Sequence, residues 1–247
     1  MKITVLAGGY SPERDVSLTS GSLIANALIK NGHRVLLLDL YRGIPVLPED
    51  PDSLFTQTEI PPYRVTKEVP DLEALKAECN NGDAWIGPNV IPLCRAADKV
   101  FLALHGAMGE NGQLQATLDS FGIPYTGSGY AGSLLAMDKD LSKRLFRQAE
   151  IPTPDWMYFD VRKDRREDLL RRVGLPCVVK PCSCGSSVGI SMANTARELT
   201  QALEEAARWE DQILVEKRIL GREFTVGILD GQALPLVEII PDQGFYD

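Results

Sequence analysis

Residues 175–192, LPCVVKPCSCGSSVGISM, combine side chains whose types and spacing suit phosphate chemistry. An apolar run through Val178 and Val179 ends in Lys180, and Pro181 interrupts ladder pairing. The small residues Ser183, Gly185, Ser186 and Ser187 then lead into a second apolar run over 188–192. This pattern predicts strand, pliable turn, strand. Small side chains let backbone N–H groups approach an anion closely, and a lysine at the root of the turn adds a positive charge. The order differs from a Walker loop, whose lysine follows the glycines and opens a helix. Here the lysine comes first, so the glycines form a hairpin flap lying over a nucleotide; a bare surface hairpin is the competing reading of the stretch alone. Two further candidates follow strands. Glu13 lies in the turn Gly8-Gly9-Tyr10-Ser11-Pro12-Glu13 after a strand over 3–7, and His105, with Glu110 nearby, opens the glycine-flanked turn after a strand over 100–104. Ligands of open α/β sheets collect at the carboxyl ends of strands, which makes both substrate-site candidates.

Elements must hold these groups in place. A helix over 16–30, with Leu18, Leu23, Ala27 and Leu28 near helical spacing, and a strand over 35–38 complete a right-handed parallel unit of an open sheet. Such a unit admits dinucleotide binding, and Asp39 ends the second strand where a ribose-binding acid would sit. Gly8-Gly9 lacks the spaced glycines that let a pyrophosphate approach, which counts against that reading. Residues 41–98 are proline-rich, with one helical patch over 72–79; they are either an insert packed on the sheet edge or a mobile cover. Further on, helices are predicted over 113–121 and 139–149, with residues 123–127 crossing into a second domain. A strand over 156–159 and a charged helix over 162–173 precede the flap. After it, a capping box, Thr195 with Glu198, opens a helix through Ala207, followed by a strand over 213–217. Residues 223–229 and 233–240 form a hairpin about Asp230-Gly231.

The 247-residue chain carries a formal net charge of −8 and no basic tract, which argues against nucleic acid or an anionic membrane as partner. It enters a strand at once, leaving no room for a signal peptide, and no apolar run is long enough to span a bilayer. The cysteines are odd in number (Cys79, Cys94, Cys177, Cys182, Cys184), and Cys182-Ser-Cys184 lacks the two-residue spacer of zinc and redox pairs. Free thiols in a reducing cytoplasm are expected.

Five blocks, in order, resemble the D-alanine–D-alanine ligases of the ATP-grasp superfamily. They are GGYSPERDVSLTSG (8–21), ALHGAMGENGQLQ (103–115), PYTGSG with MDKDLSK (124–129 and 137–143), VVKPCSCGSSVGIS (178–191) and VEKRILGREFTVGIL (215–229). The resemblance implies an α/β chain in which an N-terminal open parallel-sheet (pre-ATP-grasp) domain, 1–127, precedes an incomplete α+β ATP-grasp domain. The latter comprises a small subdomain with the Gly/Ser flap, 128–219, and the start of the C-terminal subdomain, 220–247. The implied reaction is ATP-dependent ligation of two D-alanines through an acyl phosphate, for peptidoglycan synthesis.

The resemblance also implies roles. Lys139 and Lys180 neutralise the nucleotide phosphates, and the backbone at Ser186 and Ser187 covers them. Glu216, Lys217 and Ile219 line the adenine slot, and Glu223 accepts hydrogen bonds from the ribose. Glu13 meets the ammonium of the first D-alanine and orients Ser186, these two being the implied catalytic residues; His105 and Glu110 lie near that substrate. ATP with Mg2+ or Mn2+ is the implied cofactor set, with metal ligands expected beyond Asp247 and none within this chain. A cytoplasmic homodimer binding D-alanine and ATP is expected, with no nucleic acid and no membrane. Two alternatives stay open: a related ligase taking D-serine or D-lactate second, or a non-catalytic nucleotide-binding module. Cys182 and Cys184 stand where the family usually has other polar or charged residues. The chain ending at Asp247 is expected not to ligate alone, and its hairpin over 223–240 is expected to expose apolar residues.

Overall fold

The computed structural model describes residues 1–65, 70–185 and 188–241; Ser186 and Ser187 of the expected flap lie outside the described residues. The chain divides into two compact units, Met1–Asp138 and Lys139–Asp247.

The first unit runs β1 (Lys2–Ala7), α1 (Arg14–Lys30), β2 (Arg34–Asp39), α2 (Leu72–Cys79), α3 (Val90–Ala96), β3 (Lys99–Leu102), α4 (Ala107–Glu110), α5 (Gln113–Ser120) and α6 (Tyr130–Met137). Among the described residues its sheet has the order β2-β1-β3, every pair parallel, with Ala7 opposite Asp39 and Leu6 opposite Leu102. The register aligns the carboxyl ends of the strands, so the turns after β1 and β3 emerge at one edge. Val5, Leu6, Val35 and Val100 are fully or almost fully enclosed, each contributing about 1.5–3 kcal/mol of burial free energy.

Three expectations change here. The buried face of α1 is Arg14, Asp15, Ser17, Gly21, Ser22, Ala25 and Asn26, whereas Leu23 is exposed and Ala27 faces outward. Close approach explains it: a Cβ on Gly21 would lie 2.6 Å from the Ala7 Cβ, so small residues set the helix on the sheet, and Leu18 and Leu28 flank the contact. The proline-rich segment is packed rather than a loose cover. Thr56 bridges Val35 at the outer edge of β2, and Phe55, Val90, Leu93 and Cys94 join the core around Leu6 and Val100. α3 escapes the helical pattern because it is only two turns long and carries Pro92, tolerated in a first turn whose N–H groups have no intrahelical partner. Finally, residues 123–127 extend the first sheet before anything crosses. Tyr125 bridges Val100 in parallel, with Val100 N–H donating to Pro124 O (2.8 Å) and Thr126 N–H to Val100 O (3.0 Å).

The second unit contains α7 (Lys139–Gln148), β4 (Trp156–Asp160), α8 (Arg166–Arg172), β5 (Cys177–Pro181), β6 (Ser191–Ala193), α9 (Ala196–Ala206) and β7 (Gln212–Lys217). Its antiparallel sheet has the order β4-β7-β5-β6 among the described residues. One face packs Phe159, Val179, Ile213 and Val215 against Leu169, Leu199 and Leu203 of α8 and α9. Thr195 caps α9 by accepting from Glu198 N–H (3.2 Å), and Glu198 reaches back to Asn194 N–H (2.8 Å). The expected flap is a hairpin, β5 with β6, but its return strand begins at Ser191 rather than at Val188, because 188 and 189 form a turn and Gly189 holds a φ of +67°. α8 is shorter than 162–173. The Asp160 carboxylate accepts from Arg162 N–H (3.0 Å) and Asp164 accepts from Asp160 N–H (2.8 Å), a local turn that delays the helix.

After β7, the strands β8 (Glu223–Thr225), β9 (Ile228–Leu229), β10 (Gln232–Ala233) and β11 (Val237–Ile239) form one interrupted hairpin, β8 pairing β11 and β9 pairing β10. Asp230 and Gly231 both take positive φ, the primed turn that matches strand twist. Phe224, Val226, Ile228, Val237 and Ile240 are exposed.

Candidate functional site

At the strand ends of the first unit, the turn after β1 is held from several sides. Gly8 N–H donates to Ser17 Oγ (2.9 Å), which donates on to Ala103 O (2.7 Å) and so ties α1 to the segment after β3. Arg14, almost fully buried, donates to Gly9 O (2.8 Å) and pairs with Asp39 at 2.5 Å. Asp39 also accepts from Tyr41 N–H (2.9 Å). Its carboxylate is thereby engaged within the protein, and a Cβ on Gly8 would lie 2.7 Å from it. Asp39 is therefore no ribose ligand, and the dinucleotide reading fails on geometry.

The predicted residues of this unit come together. Ser11 Oγ accepts from Glu13 N–H (3.1 Å). Gly106 holds a φ of +68°, and a Cβ there would lie 2.4 Å from Glu13 Oε2 and 3.0 Å from Ser11 Oγ, so the Glu13 carboxylate sits directly on the turn after β3. Glu110 Oε2 accepts from Gly106 N–H (2.9 Å), fixing the same turn from the other side, and His105 Nε2 lies 3.3 Å from Ser20 Oγ on α1. A carboxylate, an imidazole and glycine backbone at one bay suit a small ligand carrying an ammonium group. Arg14, Ser17 and Asp39 were not expected to take part in holding the turn. The visible signal was the polar cluster Glu13, Arg14, Asp15 and Ser17 at the start of a helix that must bury a face.

In the second unit, Val178 on β5 faces Glu216 on β7, so Lys180 lies diagonal to Glu216 on the same sheet face. Lys180 forms an ion pair with Glu216, and Lys143 of α7 reaches Glu216 Oε2 from above at 2.7 Å. Burial opposes ionisation of Glu216, but Lys180 and Lys143 outweigh it and hold the carboxyl below its usual range. Lys139, one turn before Lys143, donates from Nζ to Cys184 O (2.6 Å) and Cys182 O (3.3 Å), while its own N–H donates to Cys182 O (3.0 Å). Burial, and after it the charge of Lys180, push the Lys139 ammonium below its ordinary value. Two cations thus crowd the root of the loop, an arrangement that a polyanion relieves. On its far side, Ser183 donates from N–H and Oγ to the two carboxylate oxygens of Glu210, each at 2.6 Å.

Lys217, Ile219 and Glu223 are exposed on the strand end and the hairpin. The Glu238 carboxylate, which had no evident partner in sequence, takes a bidentate pair from Arg222 at 2.7 Å. Lys143 was also missed; its signal was its place four residues after Lys139, on one face of a helix. Trp156 is a further surprise, stacked under the Arg147 guanidinium at 4.1 Å and donating its indole N–H to Asp140 (2.7 Å).

Comparison with known proteins adds to this geometry. Residues 2–128 match the family model described as D-ala D-ala ligase N-terminus, and residues 145–247 the one described as D-ala D-ala ligase C-terminus. The D-alanine–D-alanine ligase of Pediococcus pentosaceus is 43% identical over 256 residues, a match covering 100% of this chain and 71% of that protein. Among solved structures, the D-alanine–D-alanine ligase of Bacillus anthracis matches with a TM-score of 0.72 at 33% identity, covering 100% of this chain and 67% of that one. A D-alanine–D-alanine ligase of Bacillus anthracis complexed with ATP matches with a TM-score of 0.72 at 30% identity, over 99% of this chain and 68% of that one.

Proposed function

We propose a function from one premise: the chain belongs to the D-alanine–D-alanine ligase family. The reaction is ATP-dependent joining of two D-alanines for cell-wall synthesis. A carboxylate oxygen of the first D-alanine attacks the γ-phosphorus of ATP, and the bond from that phosphorus to the ADP oxygen breaks. The resulting acyl phosphate is attacked at its carbonyl carbon by the amine of the second D-alanine. Phosphate leaves, the amide forms, and the amine gives up a proton. Little covalent work falls to the protein in such a transfer, so positioning and charge neutralisation supply most of the rate.

The observation that carries this reading is the placing of Lys139 and Lys180 at the root of the β5–β6 loop: Lys139 donates to Cys182 O and Cys184 O, Lys180 pairs with Glu216, and burial together with the Lys180 charge still disfavours the Lys139 ammonium. Nucleotide phosphates relieve that cost. In this reading Lys139 and Lys180 hold the phosphates, the backbone at Ser186 and Ser187 covers them, Glu216, Lys217 and Ile219 serve the adenine, and Glu223 the ribose. Glu13 receives the ammonium of the first D-alanine and orients Ser186, with His105 and Glu110 near that substrate. Magnesium or manganese is proposed to arrive with the ATP phosphates. Among the described residues no group of three or more His, Cys, Asp or Glu side chains is placed to hold a metal.

The domain division proposed is 1–127, 128–219 and 220–247; the two family matches break between 128 and 145, an interval that also contains the division of the compact units after Asp138. A homodimer in the cytoplasm is proposed, the thiol form of Cys79, Cys94 and Cys177 agreeing with a reducing compartment. Among the described residues no helix is long and apolar enough to cross a membrane.

The test joins this chain to the residues of the Pediococcus pentosaceus ligase that lie outside the match, and follows ADP release with ATP, magnesium and D-alanine. ADP release that rises with D-alanine is expected, together with ATP binding by the 247-residue chain itself. ATP turnover indifferent to D-alanine would overturn the reading.

A further inference from the structure

The bay at the strand ends of the first unit is closed by an aromatic wall whose origin is the proline-rich segment. Trp85 reaches the bay because residues around 87 are sewn to the chain just after β2. Gly87 N–H donates to Leu40 O (2.8 Å) and Ile44 N–H to Pro88 O (2.9 Å). The two backbones touch so closely that a Cβ on Gly87 would lie 2.4 Å from Tyr41 O, and one on Gly43 2.2 Å from Pro88 O. Trp85 meets Tyr10 edge-on, with ring centroids 5.8 Å apart, and Tyr10 lies against Tyr41 at 4.9 Å. The Tyr10 hydroxyl is anchored by donating to Glu73 of α2 (3.2 Å).

Two cavities meet at this wall. The inner one, ≈10 Å³, is bounded by Gly8, Gly9, Leu104, His105 and Gly106 together with Tyr10 and Trp85. The outer one, ≈160 Å³, is bounded by Tyr41, Lys76 and Asp83, and again by Tyr10 and Trp85. The inner volume corresponds to about one water-sized sphere. Glycine backbone lines it, and the Glu13 carboxylate lies against one of those lining glycines, Gly106. We propose that Trp85, backed by Tyr10, sets the side-chain limit of the amino-acid site, admitting a methyl group beside the ammonium-binding carboxylate and closing off the larger space behind. This rests on the ligase reading above and adds to it the residue that selects the first substrate.

Removing the indole joins the inner space to the outer one, so a longer unbranched side chain gains room. The wall is also dispensable for folding, since Trp85 is half-exposed. The experiment compares D-alanine with D-norvaline, two methylenes longer, as first substrate in the fusion enzyme, for the parent, Trp85→Ala and Trp85→Phe. A single extra methylene shifts discrimination by about 10–200-fold in an apolar pocket. The parent is expected to favour D-alanine strongly in kcat/KM. Trp85→Ala is expected to reduce that preference at least about tenfold, chiefly through KM for D-norvaline, and Trp85→Phe to restore most of it. Thermal midpoints of all three should agree within a few degrees. If the parent turns over D-alanine and Trp85→Ala keeps the parent's preference, the wall does not select and the inference falls while the ligase reading stands. If the parent shows no D-alanine-dependent turnover, the ligase reading falls and takes this inference with it.

Discussion

The two candidate clusters are built from different materials. In the first unit the bay is made of backbone: Gly8, Gly9 and Gly106 hold positive φ, and the Ser17 hydroxyl and the partly buried carboxylates of Asp39 and Glu110 tie their N–H groups. In the second unit the root of the loop is made of side-chain charge, with Lys143, Lys180 and Glu216 paired on one sheet face and Lys139 clasping two carbonyls. A backbone site is sensitive to added atoms, because its shape is set at the Cα positions. A charge site tolerates changes of shape but not of ionisation, because a buried ion left without its partner loses hydration and gains nothing in return.

The largest expected effect tests the charge side. Glu216→Gln leaves Lys143 and Lys180 facing a neutral amide with little exposure, and should cost about 3–5 kcal/mol, read from urea unfolding of the chain. The pH dependence follows in sign. Because the folded carboxyl sits below its ordinary value of 4.5, its contribution is complete above that value and fades as pH falls toward the lower folded one. The gap between parent and variant should therefore be widest near neutrality and narrow in acid. A gap that widens in acid would contradict the pairing.

Gly106→Ala tests the backbone side and should be milder in stability. A left-handed φ costs a non-glycine residue about 1–2 kcal/mol, and the new Cβ meets the end of a flexible side chain, Glu13 Oε2, rather than backbone. Function should suffer more than folding, because the displaced group is the proposed ammonium acceptor. A rise of at least about tenfold in KM for the first D-alanine in the fusion enzyme, with ATP affinity little changed, is the expected split. An equal loss for both substrates would assign Gly106 to general folding instead. The smallest effect belongs to Arg222→Ala on the exposed hairpin: its pair with Glu238 is bidentate but solvent-facing, and no shift in the urea midpoint is expected.

Much of the fold could be read from the residues, for identifiable reasons. The short apolar runs that became β1, β2, β5 and β7 are bounded by glycine, proline or charge, and Asp230-Gly231 marks a primed turn without reference to anything distant. α2 and the Thr195 cap were equally local. What misled was α1, where leucine spacing pointed to a face that is partly outside; the true contact uses Gly21 against Ala7, and small residues give no hydropathy signal. α3 was hidden because two turns interrupted by a proline carry too little periodicity to be distinguished from a loop.

For the candidate residues the boundary is similar. Sequence by itself determined that Lys180 closes a strand before a small-residue loop, and that Glu13 and His105 follow strands of a parallel sheet. Strand ends and turn residues are local properties of the chain, and a parallel register then delivers them to one edge. Only the tertiary structure decided that Asp39 is consumed by Arg14, that Lys143 descends from α7 onto Glu216, and that Trp85 arrives from the proline-rich segment to wall the bay. Those contacts join residues 25 to 75 positions apart, from Asp39 and Arg14 to Trp85 and Tyr10. Burial and pairing across such separations depend on how close packing brings elements together, a property no local run of side chains encodes.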